Sequence, residues 1–209
     1  MKKSFNKSSN KPYAVAITGS FGTGKSFVGD RLRESGYIVI DTDDIVRQIL
    51  KKQNNITESI VKIFSDAVLS TNNNEYIKRN VLAQIIFKDD KKRKELESLL
   101  HPEVRKILSS FIVEYQNEKI IFVLIPLLYE TNMQNYYDEV WCVVCDENIQ
   151  LKRIQEKGFS LDEANGRIKA QLSQNDKAKH ADFIIDNSGL ADKTIRQINN
   201  RLEVIKQVQ

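Results

Sequence analysis

Gly19-Ser20-Phe21-Gly22-Thr23-Gly24-Lys25-Ser26 fills every fixed position of the pattern G-x-x-x-x-G-K-[ST]. Glycines at these places let the backbone curl until its N–H groups point inward, where they can cradle phosphate oxygens. Lys25 adds a point charge for the β- and γ-phosphates, and the Ser26 hydroxyl is a ligand for Mg²⁺. The setting matters as much as the pattern. The apolar run Tyr13–Thr18 precedes the loop and reads as a buried strand. Gly24–Ser35 follows it with helical spacing, Val28 and Leu32 on one face and Gly36 as the stop. A helix that begins at the loop aims its positive end at the bound anion. A glycine-rich turn that binds nothing would have no reason to sit between these two elements.

Outward from the loop, Tyr37–Ile40 is a second short strand, closed by Asp41-Thr42-Asp43. From Ile45 to Phe111 the pattern is mostly helical and heavily charged, broken by a loop at Asn72-Asn73-Asn74. Lys119–Ile125 and Val140–Cys145 are further apolar strands, the first ended by Pro126. Asp146 is placed to cap a helix that runs to Lys157 and stops at Gly158. Ser160-Leu161-Asp162-Glu163 is a capping box opening the next helix. A short strand at Phe183–Ile185 precedes a final helix with Ile195, Ile198, Leu202 and Ile205 on one side. Buried strands that alternate with helices predict an α/β fold, a doubly wound parallel sheet covered on both faces. Ligands of such sheets bind at the carboxyl ends of the strands. Thr18, Asp41, Pro126, Asp146 and Asn187 all follow strands, so they are expected along one edge.

The chain has 209 residues, 41% hydrophobic and 29% charged, enough for one domain with a real core and a polar surface. Thirty-two basic and 28 acidic residues leave a net charge of +4 and a pI near 8.9. That suits an anionic ligand without implying nucleic acid. No stretch approaches the ~18 apolar residues of a membrane span. Lys2, Lys3 and Lys7 are followed by no apolar signal segment, so the expected compartment is the cytoplasm, with no membrane partner. Residues 1–12 read as a disordered tail ahead of a single domain over 13–209. Cys142 and Cys145 form a C-x-x-C spacing, but within the apolar run Glu139–Cys145 they read as buried core thiols rather than a redox pair.

Several polar residues admit two readings. Asp41 and Asp43, two apart after a strand, both face the site if the chain stays extended. Either Asp43 or Asp44 is also placed to cap the helix at Ile45. His101 precedes Pro102 and is expected in an extended turn, either structural or touching substrate. His180 reads as an exposed residue at a helix end. Arg153 either coats a helix or faces the phosphates. Arg167 and Gln171 are four apart and share a helix face. Glu130 orients either the acceptor or its own loop.

Five segments in order resemble the dephospho-CoA kinase family. They are the loop itself, Val39-Ile40-Asp41-Thr42-Asp43, Leu99-Leu100-His101-Pro102, Pro126-Leu127-Leu128-Tyr129-Glu130, and Ala181-Asp182-Phe183-Ile184-Ile185-Asp186-Asn187-Ser188-Gly189. Each segment after the first is weak alone, and their joint order and spacing are specific. The resemblance runs from Tyr13 to the last helix. It implies a P-loop NTPase fold in three parts: a nucleotide core (13–44, 112–145 and 176–209), a helical part for the CoA moiety (45–111), and a helical lid (146–175). It implies transfer of the γ-phosphate of ATP, with Mg²⁺, to the ribose 3′-hydroxyl of dephospho-CoA.

Carried over residue by residue, the expected catalytic set is Lys25, Asp43 and Arg153. ATP is expected on Gly22, Thr23, Gly24, Lys25, Ser26, Phe27 and Arg153, and near the loop Asn187-Ser188-Gly189. The acceptor is expected on Thr18, Asp41, Asp43, Arg79, His101, Leu127, Glu130 and Arg167, with Arg79, Leu82 and Phe87 matching an R-x-x-L-x-x-x-x-F segment. The chain departs from the family at Phe27, where Thr is usual, at Leu124, where many members are acidic, and at Lys78, often Asp. Magnesium then rests on Ser26, water and the Asp41/Asp43 pair.

Two other functions compete with this one. Another P-loop kinase of a nucleoside or small metabolite would share the loop, and acceptor assays separate the two. A GTPase would need an N/T-K-x-D element, which the sequence lacks. A nucleotide-dependent nucleic-acid binder would cluster aromatics with Arg and Lys. The seven Tyr and nine Phe are instead scattered through apolar segments, so no nucleic-acid partner is expected. A monomer or small homo-oligomer is expected.

Overall fold

The computed structural model of the protein describes residues 11–71 and 75–208. Most of the tail expected over 1–12, and the loop expected at Asn72-Asn73-Asn74, lie outside the described residues. The strands are β1 (Tyr13–Thr18), β2 (Ile38–Asp41), β3 (Ile120–Leu124), β4 (Glu139–Val144) and β5 (Phe183–Asp186). They form one parallel sheet in the order β2-β3-β1-β4-β5. The order steps outward in both directions from β1. The loop after β1 therefore opens beside the carboxyl ends of β3 and β4.

The helices are α1 (Lys25–Glu34), α2 (Thr42–Lys51), α3 (Asn55–Phe64), α4 (Arg79–Lys88), α5 (Asp90–Glu114), α6 (Glu147–Glu156), α7 (Leu161–Lys169), α8 (Gln174–Lys179) and α9 (Ala191–Val208). Strand alternation divides the core in two. Val15, Ile17, Phe122, Trp141 and Ile185 pack with Val28 and Leu32 of α1 and with Ile198, Leu202 and Ile205 of α9. Ala14, Ala16, Ile121 and Val123 face the other way, toward α2, α3, α4 and α5. Small alanines in the central strand leave room there for Ile60, Phe64, Leu96, Leu100 and Val104, all part of one cluster with the sheet. The helical segment after β2 therefore shares its core with the sheet. Among the described residues no helix is long and apolar enough to cross a membrane. Cys142 and Cys145 are free and buried, as the core reading expects.

Two local expectations are corrected. His101 is not in an extended turn, because α5 runs unbroken through Pro102. Proline inside a helix removes one hydrogen bond and costs about 3 kcal/mol. Leu96, Leu100, Val104 and Leu108 form a buried stripe on both sides of it, and that packing offsets the loss. The second correction concerns the carboxylates after β2. The chain does not stay extended: Asp41 itself is the N-cap of α2, its side chain accepting from the Asp43 N–H at 2.9 Å. Asp43 and Asp44 stand inside the first turn, where the helix dipole favours negative charge.

Candidate active site

Backbone and side chains together shape the phosphate loop. Gly24 has φ +103°, and a Cβ there would lie 2.0 Å from Nδ2 of Asn187. Only glycine fits both the turn and that neighbour. Gly22 has φ +85°, and a Cβ would lie 2.5 Å from Ile154 of α6. Buried polar groups hold the loop from outside. Asn187 Nδ2 donates to the Thr23 carbonyl at 2.9 Å, and the Thr194 hydroxyl donates to Asn187 Oδ1 at 3.0 Å. Gln150 Nε2 of α6 donates to the Phe21 carbonyl at 2.6 Å. The Thr23 hydroxyl donates to the Ser20 carbonyl at 3.0 Å. Carbonyls drawn outward in this way leave N–H groups free to face an anion.

Lys25 Nζ folds back over the loop and donates to the Gly19 and Ser20 carbonyls at 2.8 and 3.0 Å. Burial pushes its ammonium down to about 8, Lys177 adds to the shift, and Asp43 opposes it. Asp43 is held above the usual carboxylate range by burial first and by Asp41 second, with Lys25 pulling the other way. Burial likewise raises Asp41. Arg153 leans in from α6, with Nη1 3.8 Å from the place a Gly24 Cβ would take. That nitrogen is buried and has no hydrogen-bond partner. A buried N–H with no partner is costly, so it marks a place where an acceptor belongs.

A cleft of about 1230 Å³ runs from this loop along α4 and α5 to α7. Of the expected residues, Gly22, Gly24, Lys25, Ser26, Phe27, Asp43, His101, Leu127, Arg153, Arg167, Asn187 and Gly189 line it. His101 projects from the middle of α5, its imidazole held below its ordinary range chiefly by burial, with Glu97 opposing the shift and Arg105 adding to it. Arg79 is exposed at the start of α4, one turn before Ala83, which does line the cleft. Thr18 is buried and donates to the Pro126 carbonyl at 3.3 Å. Ser188 donates from Oγ to Asp186 and accepts from the Asp146 N–H at 2.9 Å, tying the start of α6 to β5. Glu130 accepts from the Leu172 N–H at 2.9 Å and pairs with Lys177 Nζ at 2.9 Å.

Lys177, Gln150 and Thr194 were not foreseen. Lys177 is fully buried and also donates to the Pro126 carbonyl. Its sequence context, Asn175-Asp176-Lys177-Ala178-Lys179, reads as a solvated face, and nothing in it signals burial. Arg93 of α5, held by Asp90 at 3.2 Å, faces the same cleft from within a charge-dense stretch. As metal donors the site offers the exposed Ser26 hydroxyl and the two carboxylates after β2. Among the described residues no three His, Cys, Asp or Glu side chains form a metal-binding group. Such a donor set fits Mg²⁺ carried on phosphates and touched by one or two protein oxygens, the usual way this ion is held.

A glycine-rich loop at the end of the central strand, a lysine over it, a carboxylate opposite and a long cleft beyond are the parts of a small-molecule kinase. The comparisons agree. The family model described as dephospho-CoA kinase matches residues 13–192. A dephospho-CoA kinase of Symbiobacterium thermophilum is 38% identical over 187 residues, covering 88% of this chain and 77% of its own. One from Carboxydothermus hydrogenoformans is also 38% identical over 187 residues, with 88% and 90% covered. The structure of dephospho-CoA kinase from Campylobacter jejuni superposes with a TM-score of 0.68 at 30% identity, covering 95% of this chain and all of that one. Loop, carboxylates and cleft thus sit in a chain that matches over most of its length, and the protein belongs to the dephospho-CoA kinase family.

Proposed function

We propose that the protein transfers the γ-phosphate of ATP to the ribose 3′-hydroxyl of dephospho-CoA, giving coenzyme A. The observation that carries this reading is the single cleft joining the phosphate loop, Asp43 and the α4–α5 wall. Its volume lies above the usual range of about 300–1,000 Å³ for small-molecule sites, which suits two nucleotide-sized substrates meeting end to end.

In this reading the loop N–H groups and Lys25 hold the ATP phosphates, and the unpartnered Arg153 N–H meets the transferring group. Lys25 must leave the Gly19 and Ser20 carbonyls to do so, exchanging two neutral acceptors for charged ones. Asp43 orients the acceptor hydroxyl and takes its proton as the P–O bond forms. Its raised affinity for protons brings it nearer the operating pH, where a general base works best. Ser26 would hold Mg²⁺, which would supply neutralisation of the phosphate charge. Leu127, His101 and the α4–α5 wall receive the acceptor, and Gly189 borders the adenine end. The two free thiols accord with a cytoplasmic setting.

The test is ADP release with Mg²⁺ and ATP in the presence of dephospho-CoA, adenosine, other nucleosides or nucleoside monophosphates. Turnover confined to dephospho-CoA supports the assignment. Turnover on a nucleoside with none on dephospho-CoA would replace the acceptor.

A further inference from the structure

Phe21, Phe159 and Arg167 come from three different places and meet beside the phosphate loop. Phe21 is the third residue of the loop, Phe159 lies in the link between α6 and α7, and Arg167 is on α7. The two rings meet edge to face, centroids 5.4 Å apart at 84°. The Arg167 Cζ lies 5.2 Å from the Phe21 centroid and 4.6 Å from the Phe159 centroid. Both distances are within the range of cation–π attraction. Arg167 is an exposed side chain. Glu163, one turn back on its own helix, already accepts from Ser160 N–H and Oγ. Among the described residues no hydrogen bond or ion pair engages the Arg167 guanidinium. Its N–H groups are therefore unspent, while its π contacts limit where it can go. The backbone that carries Phe21 is itself held, because Gln150 donates to the Phe21 carbonyl. Arg167 and Phe21 both line the cleft with Lys25 and Arg153.

We infer that Phe21 and Phe159 are positioning residues: they hold the Arg167 guanidinium at the phosphate loop so that its free N–H groups meet phosphoryl oxygens. A solvent-exposed arginine would otherwise spread over many rotamers and lose that freedom on each binding event. A planar guanidinium can stack on a ring and still present a fork of donors to phosphate, which lysine cannot do. The clamp also couples the lid to the loop, because two of its members move with α7 and its link and the third is part of the loop. The inference rests on the reading of this cleft as the phosphoryl-transfer site.

The experiment is a double-mutant cycle on the full chain, measuring kcat and both KM values for wild type, Phe159→Leu, Arg167→Ala and the double variant. Arg167→Ala should reduce at least one parameter by roughly tenfold or more. A rise in KM for ATP puts the guanidinium on the nucleotide phosphates, and a rise in KM for dephospho-CoA puts it on the acceptor diphosphate. A fall in kcat alone puts it on the transferring group. Phe159→Leu should reduce the same parameter by about 3- to 10-fold, the usual scale of a cation–π contact. In the Arg167→Ala background Phe159→Leu should then cost nothing more. Phe159→Tyr, which keeps the π face, should recover most of the leucine loss, and Phe21→Leu should repeat it. Equal losses from Phe159→Leu in both backgrounds would overturn the inference, since the ring would then be acting only on the fold. Unchanged activity in Phe159→Leu beside an impaired Arg167→Ala would overturn it as well. An unimpaired Arg167→Ala would remove the arginine from the site and the clamp with it, while turnover on dephospho-CoA would still stand.

Discussion

Asn187, at the end of the last strand, donates its amide to the Thr23 carbonyl inside the phosphate loop at 2.9 Å, across 164 residues of sequence. Its other side-chain atom accepts from Thr194 at 3.0 Å, and both residues are buried. The amide is thus fixed in one orientation and cannot flip without setting its oxygen against the buried Thr23 carbonyl, acceptor against acceptor. By resemblance Asn187 belongs to the segment near adenine. Its side-chain hydrogen bonds here run to the loop and to α9.

Thr194→Val keeps the shape of the side chain and removes the donor. It should cost about 1–3 kcal/mol, the usual penalty for leaving a buried acceptor unpaired. Chemical denaturation measures that cost directly. KM for ATP should rise while KM for dephospho-CoA stays near wild type, because only the loop loses its tether. An unchanged midpoint and unchanged KM for ATP would show that the tether does not shape the loop.

Lys25→Ala should lower kcat by roughly 10²–10³-fold, the scale of losing one preorganised donor to developing charge. The free enzyme should also show an alkaline limb. With its ammonium pushed down to about 8, Lys25 loses its proton as pH rises through that value, and kcat/KM for ATP should fall there. Bound phosphates favour the charged form, so the same limb should move to higher pH in kcat. A kcat/KM profile flat to pH 9.5 would contradict this.

Asp41 and Asp43 are separable because Asp41 caps α2 while Asp43 lines the cleft. Asp41→Ala removes an N-cap and should cost about 1 kcal/mol of stability. Asp43→Asn keeps the shape, removes the proton acceptor and should lower kcat roughly 10²-fold or more with ATP affinity little altered. The raised Asp43 carboxyl also sets an acid limb: activity should fall as pH drops and Asp43 takes up a proton, above the range of an ordinary aspartate. Normal turnover in Asp43→Asn with none in Asp41→Asn would exchange the roles.

What the sequence made legible was local. Strand β1 is where its apolar run places it, Asp146 caps α6 with its side chain, and Ser160 and Glu163 close their capping box. Short-range rules decide such features. The parallel sheet followed from strands apolar on both faces. The misplacement of His101 shows the limit: the bias of a residue before proline is real, but a buried leucine stripe outweighs it. The cap of α2 falls on Asp41 rather than on Asp43 or Asp44 because the helix starts earlier than the sequence indicates, and boundaries are the weakest part of such a reading. Lys177 and the Phe21–Phe159–Arg167 cluster depend on contacts between segments far apart in the chain. No local spacing reports those.

The Glu130–Lys177 pair gives the sharpest test of how the cleft wall is held. Lys177 Nζ is fully buried, 2.9 Å from Glu130, and also donates to the Pro126 carbonyl. Glu130 in turn accepts from Leu172, which lies between α7 and α8. The pair thus ties the loop after β3 to α8 and to the segment between α7 and α8. A buried charge that loses its partner is worse off than a cavity filled with apolar atoms. Glu130→Gln leaves the lysine uncompensated and should destabilise the fold by about 3–5 kcal/mol. Lys177→Met alone leaves the partly exposed Glu130, whose Oε1 still accepts from the Leu172 N–H, so its cost should be smaller. The double variant Glu130→Gln/Lys177→Met should be more stable than Glu130→Gln alone, although it carries one substitution more. Urea unfolding of the four proteins gives the coupling, and KM for dephospho-CoA reports whether the cleft wall at Leu127, next to Pro126, keeps its shape. Additive losses would mean that the two charges do not depend on each other, and the link between the β3 loop and the α7–α8 segment would then rest on Leu172 alone.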